Sequence, residues 1–148
     1  MSLEAIRNDL ARLSQNIEHL RLSQNESSTD WFKSVGQAQL LSQYYTGLES
    51  SFEKGLKLIG VEVPGKSNRY HKEILTLALQ HHLAPQGELE YLSDLLSFRH
   101  FVRHGYGVEF RPEEVNRKAS QSIEKWPAIQ TTLEKTLGLA SGHTDISL

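Results

Sequence analysis

Cysteine is absent from the 148 residues, which excludes a disulfide framework, a thiolate metal site and a thiol nucleophile. That suits a reducing compartment, and a cytoplasmic location is the default expectation. Long apolar runs are missing as well. No stretch approaches the roughly 18 consecutive apolar residues of a membrane span, and the opening MSLEAIRNDL is amphipathic and charged, without the basic patch and apolar run of a secretory leader. The chain is therefore expected to be neither secreted nor membrane-embedded. A large charge of one sign is lacking too: the net charge of −2 argues against nucleic-acid binding by bulk charge, so any such contact must be local. No alternating apolar run is long enough for a strand, and there is no internal repeat.

What is present is helical periodicity. Leu3, Ile6, Leu10, Leu13, Ile17 and Leu20 recur at spacings of three and four, a narrow coiled-coil-like seam over 1–25 that needs a partner helix. After a polar break at 25–28, where Ser28, Thr29 or Asp30 can cap, a helix is predicted over 31–59. Its buried side is expected to carry Trp31, Phe32, Val35, Leu41, Tyr44, Tyr45, Leu48, Phe52, Leu56 and Ile59. Gly36, Gly47 and Gly55 each weaken that helix by up to about 1 kcal/mol, so tertiary packing must hold it. Pro64-Gly65 and Ala84-Pro85-Gln86-Gly87 mark turns around a shorter helix over 68–82. A fourth helix is predicted over 88–103, and a fifth opens at Pro112, with Glu113 and Glu114 suiting its positive end. Pro127 implies a kink or short break near Lys125-Trp126. The stretch 139–148 has no periodicity and reads as a frayed tail. The fold class is all-α, about five helices in an antiparallel bundle, and 1–148 fits one domain without room for separate catalytic and regulatory units.

The chemistry concentrates in Phe98-Arg99-His100-Phe101-Val102-Arg103-His104-Gly105-Tyr106-Gly107. On a helix, Leu92, Leu95, Leu96, Phe98, Phe101 and Val102 fill a broad apolar arc, and Arg99 falls inside it, where an arginine needs a partner or a task. His104 would turn away from Arg99 on an ideal helix, but Gly105 and Gly107 act as terminators that let the chain leave the helical path. Arg99 and His104 can then converge on one small anion. Histidine suits proton transfer near neutral pH, and the planar arginine fork suits phosphate oxygens. The competing reading is that these cations only decorate a helix C-terminus, where each is favoured by about 0.3–1 kcal/mol.

Arg99, His104 and Tyr106 form an R-x4-H-x-Y pattern, with polar His100 directly after the arginine. It resembles the signature of HEPN-domain ribonucleases, in particular the HepT-like toxins. The likeness covers roughly residues 29 to 138 and is strongest over 91–110. The resemblance implies a homodimer with facing motifs, an endoribonuclease that uses the RNA 2′-hydroxyl as nucleophile without metal or cofactor, and a nucleotidyltransferase antitoxin as partner. Arg99 and His104 would be catalytic, with His100 and Arg103 in support, and Tyr106 would be the position that the antitoxin modifies with AMP. The chain's own support for pairing is Arg99 in its apolar arc and the seam over 1–25. The alternative function is a HEPN-like module that binds nucleotide or partner without cutting RNA. A third reading is a helical dimerisation adaptor whose motif helix is buried without a cleft. The chain lacks the Gly-Ser and paired aspartates of a nucleotidyltransferase itself.

Two other patterns compete for attention. His100 and His104 have the i, i+4 spacing of a zinc pair, but H-E-x-x-H is absent and nothing in the spacing demands a third ligand from His71, His81 or His82, so no metal site is expected. Lys66, Arg69, His71 and Lys72 make a looser basic cluster that can track a nucleic-acid backbone, although a solvated helix start is the favoured reading. Tyr106 can equally be a loop anchor covering the helix end.

Overall fold

A seam of apolar residues on a helix must be covered, and here the cover comes from the same chain. The computed structural model describes residues 3–25, 31–105 and 110–139. Among these it forms five α-helices and no strand: α1 Leu3–Ser23, α2 Trp31–Leu58, α3 Tyr70–Gln80, α4 Leu89–Arg103 and α5 Pro112–Leu137. Ile6, Leu10, Leu13, Ile17 and Leu20 of α1 are all buried in one core shared by every helix. The seam is thus spent inside the chain and lends no support to a second copy.

The side-chain bonds give the helix directions. Asp9, near the start of α1, accepts from Lys54 Nζ at 2.8 Å and Ser50 Oγ at 3.2 Å, whereas Ser23 at its end meets Gln37 Nε2 at 3.0 Å, so α1 and α2 are antiparallel. Gln37 also donates to Asn116 at 3.0 Å, and Tyr44 meets Trp126 edge-on with centroids 5.9 Å apart; α5 therefore runs with α2. Tyr91 donates to Ser122 at 2.7 Å and Glu88 holds Lys125 at 2.8 Å, which sets α4 antiparallel to α5. The short α3 is fastened to α2 by Tyr70 donating to Glu53 and by His71 Nδ1 at 2.7 Å from Glu49. The Tyr70 hydrogen bond, outweighing desolvation, and then Lys57 hold the Glu53 carboxyl below its usual value.

Several expectations need correction. Trp31, Phe32 and Ile59 do not belong to the buried side of α2: they are 49%, 77% and 39% exposed. The helical part of α1 ends beside Gln37, so the first six residues of α2 project about 9 Å past that cover. Helix α3 is shorter than 68–82, because His82 takes a left-handed φ of 60° and closes a Schellman turn, with Leu83 N donating to Ala78 O at 2.8 Å and His82 N to Leu79 O at 3.2 Å. Helix α5 runs unbroken through Pro127. That proline lies on the exposed side while Trp126, Ile129 and Leu133 are buried, so packing outweighs the one lost backbone bond. At the end of α5, Gly138 has φ 70° and Leu139, itself buried, donates to Glu134 O at 2.8 Å. The chain is therefore fastened as far as Leu139. The expected caps Ser28, Thr29 and Asp30 lie outside the described residues.

The glycines of α2 divide by their surroundings. A Cβ on Gly47 would come within 2.7 Å of Leu13 Cδ2, and one on Gly55 within 3.3 Å of Leu137 and Leu83, whereas Gly36 has open space. Gly36→Ala should therefore raise unfolding stability by about 0.5–1 kcal/mol, while Gly47→Ala should lower it, because the buried Leu13 side chain has to shift within a packed core. Urea denaturation of both variants checks this. Equal stabilisation by the two would mean that helix propensity alone governs these positions.

Candidate active site

Leu92 and Leu95 anchor α4 in the core, and Leu96, Phe98 and Val102 continue the contact half-buried. This orientation turns Arg99 toward α2, where its Nε donates to Thr46 Oγ1 at 2.9 Å. Thr46 sends its own hydroxyl proton to Ser42 O at 3.0 Å, so a lone pair of Oγ1 is left to meet the guanidinium. Arg99 is half-buried, and no carboxylate of the described residues forms an ion pair with it. The partner that its place in the apolar arc demanded is a neutral hydroxyl.

Helix α4 ends where the glycine signal places it: His104 caps it, and Gly105 follows with φ 71°. His104 folds back on the last turn, with Nδ1 3.0 Å from His100 O and its ring stacked on that of His100 at a centroid distance of 3.9 Å. A carbonyl oxygen only accepts, so Nδ1 carries the proton, and Nε2 is the basic nitrogen of the neutral ring. Arg103 is exposed and lines a hollow of about 320 Å³ between α2 and α4 together with Gln39, Ser42, Gln43, Thr46 and Val102. The motif helix therefore has an open cleft beside it, contrary to the adaptor reading.

Thr46 is the residue that sequence reasoning missed. Its only signal is that Gln39, Ser42, Gln43 and Thr46 repeat at helical spacing as an uncharged polar stripe between the apolar positions of the helix. The looser basic cluster is divided: Lys66 lies over the Tyr70 ring at 3.9 Å and 4.0 Å from Glu53, and His71 is held by Glu49. Arg69 and Lys72 are exposed and line a separate hollow that also contains Glu73. Glu49 in turn accepts from Tyr45 at 2.9 Å; burial, then the Glu49 charge, raises the Tyr45 pKa far above normal, so the phenol remains a donor. Among the described residues no three histidine, aspartate or glutamate side chains are placed to hold a metal ion, and no helix is long and apolar enough to cross a membrane. Tyr106 and Gly107 lie outside the described residues.

A family model described as HepT-like protein matches residues 36–138, a span that holds Thr46 and every motif residue from Arg99 to Tyr106. No curated protein and no solved structure matches the chain.

The bond from His104 to the His100 carbonyl makes a spectroscopic prediction. Nitrogen-15 NMR of the imidazole, recorded about two pH units above the ordinary histidine value of about 6.5, should give the Nδ1–H pattern for His104. An Nε2–H pattern would mean that the capping bond does not form.

Proposed function

The chain belongs to the HepT-like protein family, and from that premise we propose that it is a metal-independent endoribonuclease, the toxin of a pair whose antitoxin is a nucleotidyltransferase. The observation that carries this reading is Arg99: a half-buried residue whose guanidinium is held by the neutral Thr46 hydroxyl at 2.9 Å, with no carboxylate among the described residues in an ion pair with it. A cation so placed favours an incoming anion, and its planar fork keeps donors for two phosphate oxygens.

In the reaction, a basic His104 Nε2 takes the proton of the RNA 2′-hydroxyl. The 2′-oxygen bonds to phosphorus, and the bond to the 5′-oxygen breaks, leaving a 2′,3′-cyclic phosphate. A protonated His104 from a second protomer gives its proton to the departing 5′-oxygen, which assigns base and acid to one residue in two copies. Arg99 stabilises the charge that develops on the phosphoryl oxygens. His100 orients His104 through its carbonyl and ring, and Arg103 adds positive charge at the rim. Tyr106 is the acceptor for AMP: a bulky anion two residues beyond His104 competes with the substrate phosphate and silences the site.

Cleavage of single-stranded RNA should persist in excess EDTA. Arg99→Ala should lower the rate by about 10²–10³ and His104→Ala by about 10²–10⁴, with Arg103→Ala less affected and circular dichroism unchanged in all three. Near wild-type rates in both of the first two variants would sink the assignment, and activity restored only by added zinc or magnesium would move it to metal chemistry. Coexpression with a nucleotidyltransferase partner should add AMP mass to the wild-type chain and none to Tyr106→Phe. Full inhibition of an unmodified wild-type chain would mean silencing by occlusion.

A further inference from the structure

The hollow beside Thr46 does not end at Gln39. Gln39 and Val102 also line a second hollow, of about 280 Å³, which continues toward the start of α2 and includes Trp31, Val35, Gly105 and Phe110. The two form one groove along a single face of α2, since positions 31, 35, 39, 42 and 46 follow the three- and four-residue helical spacing. From Trp31 to Thr46 this track is about 22 Å long.

The composition of the groove changes along its length. At the Thr46 end are amide and hydroxyl groups with Arg103 at the rim and Arg99 bonded to Thr46. At the other end the wall is mostly apolar and carries Trp31, 49% exposed, in the same hollow as Gly105, the neighbour of His104. Among the described residues no carboxylate lines either hollow. An apolar plane, then uncharged hydrogen-bonding groups and then cations, spread over this length, suit the bases, sugars and phosphates of a short extended strand. A peptide segment would not call for that cationic end, and a duplex would keep its base faces covered by stacking.

We propose that the Trp31 end of this groove is a base-binding subsite for single-stranded RNA, in which one unstacked base of the strand whose phosphate lies at Arg99 rests on the indole while Gln39 meets the strand between the two ends. The subsite rests on the nuclease reading of Arg99 and His104 and extends it: it restricts the substrate to single strands and makes Trp31 a positioning residue. Stacking of a base on an aromatic ring tolerates all four bases, so selectivity would be for strandedness more than for sequence.

The chain has two tryptophans, of which Trp126 is buried at 4% exposure, so Trp31 can report on its own subsite. In the His104→Ala background, which holds RNA without cutting it, a single-stranded octaribonucleotide should quench tryptophan emission, and the same sequence as a duplex should not. The quench should vanish in His104→Ala/Trp31→Phe. In the otherwise wild-type enzyme Trp31→Ala should raise KM about tenfold or more, since base stacking is worth about 1–3 kcal/mol, with kcat changed much less; Trp31→Phe should recover most of the affinity. RNA binding, seen by anisotropy, without change in emission would overturn the subsite and leave the nuclease intact, as would unchanged KM in Trp31→Ala. An emission change that follows protein concentration and ignores RNA would assign the patch to a contact between copies. A wild-type chain that neither binds nor cuts RNA would overturn both readings together.

Discussion

The structure depends on the need to cover α2 on several sides at once. Tyr44 and Tyr45 are adjacent and both fully buried, so faces of the helix about 100° apart must each have a neighbour. Helices α1, α5, α4 and α3 supply that cover, which is why α2 touches all of them. The next residue, Thr46, falls a further 100° round, on the side that is left exposed. The candidate site thus occupies the one strip of α2 that the packing leaves uncovered, bordered by the last turns of α4. Its place is a consequence of how the core closes.

The cations separate into two kinds by their partners. Lys54, Lys57 and Lys125 each have a carboxylate within 3.1 Å, and such partly exposed pairs contribute little individually to stability. Arg99 has a hydroxyl instead. A hydroxyl does not offset the positive charge, so in the proposed site the remaining N–H groups of the guanidinium would be available to an anion. The same logic distinguishes Arg99 from Lys66 and His71, whose acidic neighbours Glu53 and Glu49 already meet the need.

Much of the fold was legible because periodicity reports that a face is buried. It does not report against what. The seam of α1 calls for a partner helix, and the partner is α2 within the chain. Trp31 and Phe32 continue the apolar pattern of α2 and are nevertheless exposed, because whether a terminal turn is covered depends on where the neighbouring helix stops. The end of α3 was misplaced by two residues because the left-handed position is held by His82, where the usual marker is glycine. In the site, Arg99 could be singled out because a charge interrupts an apolar arc in its own helix. Thr46 could not, since it lies 53 residues away and only tertiary packing sets it opposite.

The exhaustion of α1 also constrains how two copies can meet. With Ile6, Leu10, Leu13, Ile17 and Leu20 facing inward, and with Val115, Ala119, Ile129 and Leu133 of α5 equally buried, the apolar surface left near His104 among the described residues consists of the half-buried rings of Phe98, Phe101 and Phe110 together with the projecting start of α2. Trp31 and Phe32 stand there with centroids 5.4 Å apart and planes 74° apart. Trp31 lines the groove and Phe32 does not, so neighbouring rings on one helix turn serve different directions. The paired, RNA-bound site proposed above would place two demands on this end of the molecule, a stacking plane inside the groove and an apolar contact outside it. Two aromatic side chains set nearly at right angles satisfy both without competing for the same surface.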